Sequence, residues 1–113
     1  MLNKMKLSDN ELVKICSQFR TGVLGTRGKP KNKCYIVTAP LQSYLSFLKI
    51  ESKLIEGFVT IGECITNHFW ILLPDNRIID PTADQFNGYK EREMPKVYLG
   101  EKPNWYMEKK VKK

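Results

Sequence analysis

The chain has 113 residues, 42% of them apolar and 27% charged, with a formal net charge of +7. That length suffices for one two-layer core and little more, and the apolar fraction excludes a disordered tail. No apolar run approaches the roughly 18 residues needed to cross a bilayer, and residues 1–6 turn polar without the apolar segment of a secretory signal.

Three cysteines, Cys16, Cys34 and Cys64, are an odd number at wide spacing. This argues against a disulfide framework and for a reducing, cytoplasmic compartment. There is no C-x-x-C pair and one histidine, so a four-ligand zinc site would need every cysteine plus His68, and zinc is not expected. The basic excess gathers at Lys29, Lys31 and Lys33 and at Lys109, Lys110, Lys112 and Lys113. It reads as a solvated surface with a flexible basic tail from about 107 to 113. Attraction to nucleic acid is the sharper reading, but no nucleic-acid motif supports it.

Taken in chain order, Ser8-Asp9-Asn10-Glu11 is a capping box, and Leu12, Ile15, Cys16 and Phe19 follow at helical spacing. A first helix is therefore expected over residues 9–20, with Cys16 a buried thiol on its apolar stripe. Gly22, Gly25, Gly28 and Pro30 punctuate a loop, after which residues 34–48 carry a second helical pattern that reads as buried on most sides. Pro40 disturbs it: either the helix bends there, or it starts near Thr38 with Cys34 just before it.

Residues 53–61 are rich in β-branched and aromatic types and read as a strand. Residues 67–86 then read as a β-hairpin, with His68 on its first strand and Asp80 near the end of its second. Residues 96–99 form a possible edge strand, and a terminal segment follows, anchored by Trp105 and Tyr106. Helices followed by an antiparallel sheet make the fold α+β, in one domain over residues 1–113.

The hairpin turn decides whether His68 and Asp80 can meet. A two-residue turn at Asp75-Asn76 would set them on opposite faces. A three-residue turn, Pro74-Asp75-Asn76, pairs Leu73 with Arg77 and Trp70 with Asp80, so that His68 lies diagonal to Asp80 on one face. Asn76 tolerates the left-handed backbone that such a loop wants at its third position. Asp80 also has a local role available, because an Asp-Pro-Thr turn bonds its carboxylate to amides two residues on.

Cys34 completes a candidate set. With Asn32 as helix cap, its sulfur would sit in the first turn, near the positive end of the helix dipole, with Lys31 and Lys33 adjacent; both effects favour thiolate. The same first-turn amides offer donors to a developing oxyanion. Cysteine, histidine and aspartate then stand as attacker, base and orienter. Cys64 is a rival nucleophile without a helix start to activate it, and Asp84 and Gln85 are rim groups without assigned chemistry.

Cys34 before a helix, Asn67-His68-Phe69-Trp70, and Asp80-Pro81-Thr82-Ala83-Asp84-Gln85-Phe86 together resemble the transglutaminase-like group of papain-like cysteine enzymes, small bacterial and phage-type members above all. The resemblance spans residues 30–86. It implies a papain-like core, with the cysteine helix packed on a small antiparallel sheet, and Cys34 as nucleophile, His68 as base and Asp80 as orienter. It also implies acyl transfer through a thioester on a protein, peptide or small amide, by hydrolysis, deamidation or cross-linking, without a cofactor. The rival reading is a catalytically degenerate binding or accessory protein that docks through its basic patches.

Overall fold

The computed structural model describes residues 7–25, 33–61, 63–87 and 93–109. Two helices, α1 (Asp9–Leu24) and α2 (Cys34–Phe47), precede five strands: β1 (Lys53–Ile61), β2 (Cys64–Leu72), β3 (Arg77–Asp80), β4 (Tyr98–Glu101) and β5 (Tyr106–Glu108). A 3-10 turn, Ala83–Phe86, follows β3. The strands form one sheet in the order β4-β3-β2-β1-β5, every pairing antiparallel. The α+β class is therefore as the sequence indicates. Among the described residues no helix is long and apolar enough to cross a membrane.

Helix α1 starts where its capping box dictates. Ser8 Oγ accepts from the Glu11 amide at 3.1 Å, and Glu11 Oε1 accepts from the Ser8 amide at 2.9 Å. The helix runs to Leu24, four residues past the expected end, and Gly25 stops it at φ 83°. Its buried positions, Leu12, Cys16 and Arg20, recur every fourth residue. Two apolar anchors therefore lead to a buried cation at the far end of one stripe.

Helix α2 begins at Cys34 and continues through Pro40. Proline leaves the carbonyl four residues back without its helical donor. Pro40 and Ile36 are both exposed, where solvent can take that donor's place. The helix is not buried on most sides, as its apolar content suggested. Val37, Thr38, Leu41 and Leu45 face inward, while Ile36, Tyr44 and Phe47 are exposed. That inward stripe meets both α1 and the sheet, through Leu12, Cys16 and Ile71, and the opposite side faces solvent.

The sheet divides two apolar groups between its faces. Ile71, Leu73 and Ile79 pack with Leu12, Cys16, Leu41 and Leu45 of the helices. Trp70, Ile78, Val59 and Tyr106 gather on the other face. Period-two alternation along β2 and β3 separates the sets, and it sends His68 and Asp80 to the side of Trp70 and Ile78. Gly57 pairs with His68 across β1 and β2, and a Cβ there would collide with the Trp70 ring and the Met107 carbonyl. Glycine is what allows the indole to lie against the β1 backbone at this position.

The turn between β2 and β3 has three residues. Leu73 donates to the Arg77 carbonyl at 2.9 Å, the Asn76 amide donates to the Leu73 carbonyl at 3.0 Å, and Asn76 has φ 73°. Leu72 pairs with Ile78 and Ile71 with Ile79, the register that puts Trp70 opposite Asp80. Two expectations about the chain end differ from the structure. The edge strand lies at Tyr98–Glu101 rather than 96–99, and Met107 and Glu108, assigned to a flexible tail, form β5 against Gly57 and Phe58. The lysines beyond Lys109 hid this strand's short apolar start; residues 110–113 lie outside the described part.

Candidate functional site

Asp80 closes β3 and is fully buried, as is His68 on β2. His68 Nε2 lies 2.7 Å from Asp80 Oδ2. The opposite oxygen, Oδ1, accepts from the Thr82 amide at 3.0 Å and is 3.4 Å from the Thr82 hydroxyl. Asp80 thus fills its turn-forming role and its histidine contact at once, one oxygen for each. Fixing Oδ1 on its own backbone orients Oδ2 toward the sheet interior, where the imidazole waits.

Tyr106 is a participant that the sequence reading missed. Its hydroxyl donates to Asp80 Oδ2 at 2.5 Å, the oxygen that also meets His68. Its ring stands edge-on to the imidazole, with centroids 5.8 Å apart, and edge-on to Trp70 at 5.1 Å. No motif carries it, because β5 returns from 26 residues beyond Asp80. The one available signal was a tyrosine in an anchored terminal segment, since a buried phenol needs a partner.

Cys34 occupies the first position of α2, partly exposed, next to Lys33 at the N-cap. Lys33 makes no side-chain cap bond; Asn32 and Lys31, expected to cap and to charge this end, lie outside the described residues. Tyr35 turns to meet Phe69 of β2 edge-on, with ring centroids 4.9 Å apart, which brings the start of α2 over the start of β2. After Asp80, Cys34 is among the groups that raise the proton affinity of the His68 ring.

Opposing forces set the imidazole's charge. Burial lowers its pKa, but the Asp80 carboxylate, through charge and hydrogen bond, and then Cys34, raise it to about 9 from 6.5. His68 is therefore held as imidazolium between an acid and a sulfur at neutral pH. Cys16 differs: burial alone pushes its thiol up to about 12, which makes it inert. The Cys64 side chain lies outside the described residues.

The neighbouring Asp84 and Gln85 differ from each other. Asp84 receives a two-pronged bond from Arg20 of α1, at 2.6 and 3.0 Å, and the same guanidinium donates to the carbonyls of Pro81 and Lys96. Asp84 therefore holds the segment after Asp80 rather than reaching the imidazole. Gln85 Oε1 is buried without a hydrogen-bond partner among the described residues. Among the described residues no cluster of three or more His, Cys, Asp or Glu side chains could hold a metal ion.

No family model, curated protein or solved structure matches the chain.

Proposed function

We propose that the protein is a cysteine-dependent acyl-transfer enzyme acting on an amide, with Cys34 as nucleophile, His68 as base and acid, and Asp80 as orienter. The observation that carries this reading is His68 itself: a buried imidazole bonded through Nε2 to a buried carboxylate while a helix-start cysteine acts on the same ring. A core histidine needs no sulfur at a helix start, and a core cysteine needs no imidazolium. A helix that carries the cysteine and packs on an antiparallel sheet is also the arrangement that the transglutaminase-like resemblance implies.

In the proposed reaction the Cys34 sulfur, its proton already resident on the His68 imidazolium, attacks the carbonyl carbon. The amides of the first turn of α2 receive the developing oxyanion. The carbon–nitrogen bond breaks as His68 returns its proton to the departing amine, leaving a thioester on Cys34. Water or a second amine then attacks the thioester and gives its proton to His68, the carbon–sulfur bond breaks to release the acid or the new amide, and the sulfur and the imidazolium stand as they began. Asp80 keeps the ring oriented and its positive charge compensated throughout.

The test is alkylation by iodoacetamide at pH 6, followed by peptide mapping. Fast, selective modification of Cys34 that is lost in His68→Ala supports the reading; equal sluggishness of all three thiols ends it. The rival reading, docking through basic patches, depends largely on Lys29, Lys31, Lys110, Lys112 and Lys113, which lie outside the described residues. Binding to a nucleic acid that falls steeply with salt and is unaffected by Cys34→Ala, together with sluggish thiols, would favour it instead.

A further inference from the structure

We infer that Tyr106, brought in by the last strand, is a positioning residue of this site: its hydroxyl shares Asp80 Oδ2 with His68 and so limits how tightly the imidazole is held. The inference rests on the acyl-transfer reading of Cys34, His68 and Asp80. Asp80 has two oxygens, and the Thr82 amide already holds one of them. The other receives His68 Nε2 at 2.7 Å and the Tyr106 hydroxyl at 2.5 Å. An O–H donor at that distance from a carboxylate is a short, charge-assisted bond, stronger than an ordinary neutral one.

The surroundings keep the phenol a donor. Its ring is only 2% exposed and packs edge-on against both His68 and Trp70. Burial, and then the charge of Asp80 and the bond to it, push its proton loss far above neutrality, with Tyr98 adding to the effect. The groups that act on the imidazole charge are thus Asp80 from β3, Cys34 from α2 and, through Asp80, Tyr106 from β5. A second donor on Oδ2 draws negative charge away from the oxygen that holds the imidazolium proton. Without it His68 would keep its proton more firmly and surrender it to a departing amine more slowly.

His68 is the single histidine of the chain, so its ring resonances can be followed by NMR without ambiguity. Tyr106→Phe keeps the ring and removes the hydroxyl. The titration midpoint of His68 is expected to rise by about one pH unit, the scale set by hydrogen bonds to charged groups. Replacing Tyr106 by 3-fluorotyrosine, nearly the same size and a stronger donor, is expected to lower the midpoint, and this variant decides alone if the Phe protein does not fold. A midpoint that stays put in the folded variants overturns the inference, and with fast Cys34 alkylation it does so while sparing the acyl-transfer reading. Sluggish Cys34 with a midpoint that moves as expected overturns the enzymatic reading while leaving the Tyr106–Asp80–His68 coupling in place.

Discussion

An imidazole removed from water ordinarily loses its proton, because burial penalises the charged form. His68 runs against that tendency: Asp80 and Cys34 outweigh desolvation, and its pKa stands at about 9 against 6.5 for an unhindered histidine. A pKa raised on folding means that the folded chain binds the proton more tightly than the unfolded one. The resulting stability is complete below about pH 6.5 and is lost as pH climbs through about 9. Urea unfolding at pH 6, 7.5 and 9 should therefore show a loss of at most about 3 kcal/mol, absent in His68→Gln. A flat profile for the native chain would contradict the charged imidazole. The residues that make this pair were legible in the sequence because each has a distinctive local setting: a single histidine, and an Asp-Pro-Thr turn that accounts for one carboxylate oxygen. Tyr106 was not, since its role is fixed by a strand pairing that no short stretch of sequence encodes.

At the level of elements, the β2–β3 hairpin converts a turn length into a functional geometry. Side chains alternate with period two, so one residue more or less in the turn would send Asp80 to the helix side of the sheet and leave His68 without it. The sequence left the turn length open, with Asn76 suited to the third position of a three-residue turn, and Asn76 sits there at φ 73°. A β-branched residue there meets steric crowding that glycine avoids. Asn76→Val should cost roughly 1–2 kcal/mol in urea unfolding, while Asn76→Gly should leave stability nearly unchanged. Equal effects of the two would show that the turn's backbone is not what sets the register. Helix α2 was less legible. Its many apolar residues masked which stripe faces inward, and Pro40 obscured its start, because the exposure that makes a proline tolerable is a property of the packed molecule.

On the scale of the whole molecule, contacts distant in sequence hold the segment that follows Asp80. Arg20 reaches from α1 to Asp84, 64 residues away, and to the carbonyls of Pro81 and Lys96. One guanidinium therefore ties the first helix to the 3-10 turn and to the approach to β4. No motif announced this, because Arg20 falls on the apolar stripe of α1, where periodicity alone expects another hydrophobe. Its side chain is 7% exposed and that of Asp84 16%, so removing the arginine would strand a mostly buried carboxylate and two carbonyls. Breaking a buried pair from one side costs about 3–5 kcal/mol, far more than losing an exposed bridge such as Arg77 with Asp9. Arg20→Ala should lower stability by about that amount. Arg20→Lys should recover only part of it, because a point charge cannot match the planar fork that meets both Asp84 oxygens. Because the anchored segment begins one residue beyond Asp80, Arg20→Lys should also slow Cys34 alkylation while His68 remains folded in place. A lysine variant indistinguishable from the native chain in both unfolding and alkylation would show that the bridge neither stabilises the fold nor steadies the carboxylate.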